Sequence, residues 1–221
     1  MALVLIVVAL VIISYFMVNI YRHDNSPFYK LTGYSYLDML ASKKIRKMYK
    51  IVDVLNQVNG PHKILVDVQI PVNDEQKSID AVLLHESGIY VIDMRAKSGW
   101  INGRERDYEW KELLHKGKSR TFNNPIHETK LLMFALQDQL SEVDEQVFQS
   151  VVLFTNDCSF QQIEIESENV EVLKMKDLKK WTSTLKGKAI SEPDIQTLFV
   201  ALESTMNTKS ALLKANKVST V

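Results

Sequence analysis

Apolar positions change their spacing several times along this chain, and each change predicts an element. Residues 2–18 carry no charge at all, and the run extends through Asn19, Ile20 and Tyr21. That is about the 20 residues, or ~30 Å, that a bilayer-spanning helix requires. Tyr15 and Tyr21 suit the membrane interface and Arg22 marks the exit. Over 42–58 the spacing becomes three and four: Ile45, Met48, Ile51, Val52, Leu55 and Val58 fall on one side of an amphipathic helix. Ser42 is its expected N-cap, and Asn59-Gly60-Pro61 ends it. The period then drops to two. Runs rich in β-branched residues at 64–70, 79–84 and 89–94 predict strands, joined by polar tracts at 71–77 and 85–88. Asn102-Gly103 reads as a tight turn leading into a strand at 108–114. Asn124 and Pro125 open a helix that runs to about residue 140. The continuous apolar run 149–155 predicts a central strand. A short strand at 170–173 and helices over 175–185 and 192–206 complete the pattern.

These elements predict a transmembrane helix over 1–21, a linker over 22–41 that is loosely ordered or briefly helical, a domain over 42–206, and a basic tail over 207–221. The domain is expected to be α/β, with a mixed central β-sheet flanked by helices.

Charge changes the picture chiefly through its distribution. Acidic and basic residues balance at 27 each, so any basic surface must be local. The flank after the apolar run carries Arg22, Lys30, Lys43, Lys44, Arg46, Lys47 and Lys50 against Asp24 and Asp38. By the positive-inside rule the domain faces the cytoplasm and the short N-terminus lies outside, at the cell membrane. A cleaved leader is the competing reading, but nothing basic precedes the run and no Ala-x-Ala pattern follows it. The single cysteine, Cys158, excludes an intrachain disulfide and a zinc site built from cysteines, and it suits a reducing compartment. Lys43, Lys44, Arg46, Lys47 and Lys50 could follow a nucleic-acid backbone, lie on anionic lipid headgroups, or form a solvated helix face; nearness to the membrane span favours lipid over nucleic acid. His23, His62, His85, His115 and His127 show no metal-ligand spacing and read as surface or loop residues. Trp100 and Trp110 are expected to pack across a hairpin. No Gly-rich phosphate loop, Gly-x-Ser-x-Gly elbow or His-Glu-x-x-His occurs, which argues against nucleotide-binding, serine-hydrolase and zinc-protease chemistry.

The candidate chemistry lies between residues 78 and 103. Asp80 opens one predicted strand and Asp93 ends the next, and the Gly88 turn folds the two together. Side chains two apart on a strand share a face, so Asp93, Arg95 and Lys97 point alike if the strand continues that far. Two carboxylates with a cation are a minimal kit for holding Mg²⁺ or Mn²⁺ against a phosphodiester. The plainer reading is a turn aspartate and a surface Asp-x-Arg ion pair.

The run Ile79-Asp80 through Gly88, Asp93-Met94-Arg95, Ser98-Gly99 and Gly103, then Trp110 and Asn124-Pro125-Ile126, resembles the nuclease-related domain (NERD) family. The resemblance covers roughly residues 42–155. It implies a restriction-endonuclease-like fold of the PD-(D/E)xK superfamily, often with an N-terminal membrane helix. It also implies Asp80 and Asp93 as metal ligands for Mg²⁺ or Mn²⁺, with Arg95 or Lys97 at the phosphate. Against the family pattern, Asp93-Met94-Arg95 stands where Glu-x-Lys is expected and Glu128 where a Gln follows Asn-Pro. Lys97 takes the place of an aromatic, and the first domain helix opens Ser-Lys-Lys-Ile-Arg-Lys without a Glu. Arg is a poor stand-in for a compact ammonium. The expected function is therefore a degenerate nuclease that binds nucleic acid or a protein partner at the membrane. The alternatives are an active Mg²⁺-dependent nuclease and a membrane scaffold without a nucleic-acid role.

Overall fold

The computed structural model describes residues 1–114 and 117–210. These fall into two compact units, one of residues 1–56 with 208–210 and one of residues 57–207. His115 and the tail beyond residue 210 lie outside the described residues.

The first unit is helical. Helix α1, Ala2–Asp24, is long and apolar enough to cross a membrane: an 18-residue window of it has mean hydropathy 2.8, and none of that window is buried. At 1.5 Å per residue it is about 35 Å long. Two short helices occupy the expected linker, α2 (Pro27–Thr32) and α3 (Tyr36–Ala41). Gly33, at φ +70°, ends α2, and Ser35 with Asp38 forms a capping box on α3. Lys209 bonds Asp38 at 2.6 Å and, with Ser35, holds the Asp38 carboxyl at about 2. Helix α4, Lys43–Leu55, starts at Ser42 as its pattern predicts, and Met48, Ile51, Val52 and Leu55 are buried. Lys43, Lys44, Arg46 and Lys50 are exposed and Lys47 is half-buried. His23 is buried, contrary to expectation. Its ring stacks on Tyr49 and meets the edges of Phe28, Tyr29 and Tyr36, with Nε2 2.8 Å from the Tyr34 carbonyl oxygen.

The second unit is a mixed α/β domain with two sheets, where the sequence pattern predicts one. The first sheet runs β1-β2-β3-β7-β9, comprising β1 (His62–Val72), β2 (Glu75–His85), β3 (Gly88–Arg95), β7 (Phe148–Phe154) and β9 (Val170–Lys174). β1, β2 and β3 form an antiparallel meander, and β7 and β9 run parallel to β3. Asn73 and Asp74, at φ +48° and +66°, make the two-residue turn between β1 and β2. The predicted central strand is thus β7, flanked on both sides and buried along nearly its whole length. The second sheet runs β6-β5-β4-β8, comprising β4 (Gly99–Arg104), β5 (Glu109–Leu113), β6 (Ser119–Asn123) and β8 (Cys158–Glu164). Helices α5 (Pro125–Gln139), α6 (Leu178–Thr182) and α7 (Glu192–Glu203) flank the sheets.

Two features explain the extra sheet. Asn102-Gly103 is not a turn but lies inside β4, because the glycine is needed beneath Trp110: a Cβ on Gly103 would stand 2.1 Å from the indole. β6 and β8 are short and mostly polar outward, so they leave no alternating signal. Trp110 is buried, lies parallel to Phe154, and shares a core with Ile101, Ile126, Val152 and Cys158. Trp100 is 55% exposed and so does not share that packing. His85 is likewise buried rather than superficial: Nε2 donates to the Asn59 carbonyl at 2.7 Å while Nδ1 accepts from the Ser87 N–H.

Candidate functional site

The pairing of β2 with β3 runs from His85↔Gly88 to Ala81↔Ile92 and stops there. One step further, Asp80 comes opposite Asp93. Beyond that point β2 continues alongside β1, and β3 continues alongside β7 as far as Arg95↔Phe154. The two acids therefore stand at a fork where the strands part. Residues directly opposite on antiparallel strands share a face, so the sequence expectation that Asp80 and Asp93 converge matches the geometry. Asp80 accepts the Met94 backbone N–H at 2.7 Å, a donor that the fork leaves without a strand partner.

The first turn of α5 closes the fork. Asn124 caps the helix by accepting the Ile126 N–H at 2.9 Å, and Pro125 takes its first position. This turn carries Glu128 and Thr129 toward the end of β3. Arg95 spans the gap: one terminal nitrogen pairs with Asp93 Oδ2 and the other lies 2.6 Å from Glu128 Oε2. Thr129 Oγ1 lies 3.4 Å from Asp93 Oδ2, and Asn123 donates to Glu128 Oε1 at 3.2 Å. Burial pushes the Asp93 carboxyl up to about 6. Arg95 opposes that rise and the nearby Asp80 carboxylate adds to it.

Lys97 does not join this group. β3 ends at Arg95, so alternation no longer governs residue 97. Its Nζ sits 3.9 Å over the Phe122 ring of β6, and its charge helps hold down Glu112 of β5. Sequence reasoning missed Asp67 and Thr129, and it treated Glu128 only as a departure from a pattern. Asp67 of β1 stands opposite Asp80 of β2, bracketed by Val66↔Ala81 and Val68↔Ile79. It is buried at φ +50° and accepts the Ser78 hydroxyl at 2.5 Å. An aspartate in a strand-spaced apolar run was the available signal.

The donor set does not suit a divalent ion. Asp93 and Glu128 are each bound to one guanidinium, and Asp80 is engaged by a backbone N–H. Among the described residues, no group of three or more His, Cys, Asp or Glu is arranged to hold a metal. An ion between Asp80 and Asp93 would sit within a few ångströms of a permanent positive charge, a repulsion of several kcal/mol at a protein surface. Cys158 offers no alternative centre, being buried with its thiol pushed up by that burial.

The residues around the fork are held by an unusually complete latch. Asn124 Nδ2 lies 3.2, 2.8 and 2.6 Å from the carbonyl oxygens of Arg104, Glu105 and Asp107, and Trp110 Nε1 donates to the Arg104 carbonyl at 3.0 Å. Gly99, at φ +67°, lies against the Leu113 carbonyl, where a Cβ would approach to 2.1 Å. Glu105 is buried. Burial alone would raise its carboxyl, but Lys130 at 2.7 Å, Ser167 and the Glu166 N–H outweigh this and hold it at about 2.

Two comparisons bear on this arrangement. The family model described as the nuclease-related domain (NERD) matches residues 43–155. The chain is also 25% identical over 125 residues to an uncharacterized protein of Bacillus anthracis, covering 55% of this chain and 56% of that protein. The chain thus spans little more than half the length of that relative.

Proposed function

Because the chain belongs to the nuclease-related domain family, we propose that it is a membrane-tethered member that binds rather than cleaves. One observation carries the reading. The cation that a cleaving centre would offer to a phosphodiester, Arg95, is tied at both terminal nitrogens to Asp93 and Glu128. A phosphate reaching the fork would meet carboxylates at Asp80, Asp93 and Glu128, and the Arg95 cation beside them is already paired with two of the three. This charge balance favours a protein partner over a nucleic-acid backbone at that face. Helix α1 supplies the tether. The seven basic against two acidic residues between positions 22 and 50 favour a cytoplasmic domain by the positive-inside rule. The exposed bases of α4 suit anionic headgroups, each adding on the order of 1 kcal/mol near the surface.

The convergence of Asp80 and Asp93 favours a second reading, an active Mg²⁺- or Mn²⁺-dependent nuclease. One experiment separates the two. The full chain, reconstituted in nanodiscs, is incubated with DNA and RNA in Mg²⁺ and then Mn²⁺, beside Asp80→Asn. The binding reading expects intact substrate in every lane and no steeply salt-dependent retention of nucleic acid. Cleavage that vanishes with Asp80→Asn refutes it.

A further inference from the structure

We infer that Arg95 is a resident cation, standing where a divalent ion would otherwise neutralise the fork, and that it makes this domain both closed to such ions and independent of them. The inference rests on the binding reading above but makes a separate claim about what holds the fork together. Three carboxylates come to this corner from three elements: Asp80 from β2, Asp93 from β3 and Glu128 from α5. Left alone, they would repel one another in a partly desolvated place; burial first, and then the neighbouring Asp80, already push the Asp93 carboxyl upward. A hard dication bound by these oxygens would remove the conflict. A guanidinium removes it differently. It is always charged, it is planar, and its fork can serve two carboxylates at once.

The geometry matches that second solution. Arg95 ends β3 and reaches sideways. One terminal nitrogen meets Asp93 and the other meets Glu128, so a single side chain ties the end of β3 to the first turn of α5. Both partners are partly shielded, and the Arg95 side chain itself is 25% exposed. Arg95 Nε is buried without a hydrogen-bond partner, so the side chain leaves that N–H unpaired while both terminal nitrogens meet carboxylates. Lys97, the other cation of this stretch, is turned to Phe122 and does not compete for the position.

The test uses the detergent-solubilised full chain and Mn²⁺ as the probe, read by electron paramagnetic resonance of free Mn²⁺ and by thermal unfolding. The wild type is expected to take up no Mn²⁺ at the fork and to show the same Tm with and without it. Arg95→Ala is expected to have a lower Tm in chelator, to recover part of that loss on Mn²⁺ addition, and to bind Mn²⁺ at least about tenfold more tightly than the wild type, since a unit positive charge has left the ion's surroundings. Asp80→Asn introduced into Arg95→Ala should abolish the recovery. Arg95→Lys guards against a variant that does not fold. A compact ammonium keeps the charge but reaches only one carboxylate, so the protein should be less stable than wild type and still indifferent to Mn²⁺. Wild-type Mn²⁺ uptake that Asp80→Asn removes would overturn the inference, as would a folded Arg95→Ala that ignores Mn²⁺. Uptake without cleavage of DNA or RNA would leave the binding reading standing, whereas Mn²⁺-dependent cleavage would end both.

Discussion

Asp93→Asn tests the energetics of the fork directly, because the wild-type carboxyl titrates where most folded proteins are handled. Its rise from an ordinary 3.8 to about 6 comes from burial first, with Asp80 adding to it and Arg95 resisting. In the window between those values the folded chain keeps a proton that the unfolded chain has released. The stabilisation is therefore full below 3.8 and is lost as pH climbs through about 6. The shift is equivalent to on the order of 3 kcal/mol. Asparagine resembles the protonated state at every pH, and its oxygen can still accept from Arg95. The Tm difference between wild type and Asp93→Asn should thus change in the variant's favour by about 6–12 °C between pH 4 and pH 8. Paired thermal unfolding of the full chain in detergent at one-unit pH steps measures it, and pairing cancels every group the two proteins share. A gap that stays flat across that range, or that moves toward the wild type as pH rises, would refute the claim that burial and Asp80 outweigh Arg95 at this carboxyl.

Four further outcomes are expected. Asn124→Ala removes the cap on Ile126 and strands the carbonyls of Glu105 and Asp107; a loss of about 3 kcal/mol should appear as a lower denaturant midpoint. Gly103→Ala drives a methyl into the Trp110 ring, costing about 1–3 kcal/mol and shifting tryptophan fluorescence to the red as the indole is displaced. Glu105→Gln removes stability that is present above 4.5 and fades as pH falls through about 2; the wild type should lead by on the order of 3 kcal/mol at pH 6 and lose that lead toward pH 2. A double-mutant cycle of Arg95→Ala with Glu128→Gln should give a coupling of about 0.5–3 kcal/mol, and strict additivity would mean that the ion pair contributes nothing.

What the sequence disclosed divides along physical lines. Elements with a sustained period were legible: α1, α4 and α5, the meander β1–β3, and the buried strand β7 all lie within a few residues of their predicted bounds. Of the second sheet only β5 was, within the strand expected at 108–114. Its strands are short, and one carries an Asn-Gly pair whose local preference is for a turn. The preference is overridden because Gly103 is where the Trp110 ring must lie. Lys97 was misplaced for a similar reason, since alternation holds only while a strand lasts and β3 stops two residues earlier. His23 and His85 were read as superficial because nothing local marks a histidine that is enclosed by aromatic rings or bound to a distant carbonyl.

The residues that carry the family resemblance turn out to be mainly architectural. Gly99 admits a neighbouring carbonyl, Gly103 admits an indole, and Asn124 collects the carbonyls of one turn while capping a helix. Each does a job that few other side chains could do. The departures from the family pattern looked like separate losses along the sequence: Asp93 for a Glu, Arg95 for a Lys, Glu128 for a Gln. In three dimensions they meet at one guanidinium. Asp93 holds that planar cation from its own strand, and Glu128 on α5 gives it a second partner. The three side chains therefore form one charge network, and removing any one of them should be felt at the other two.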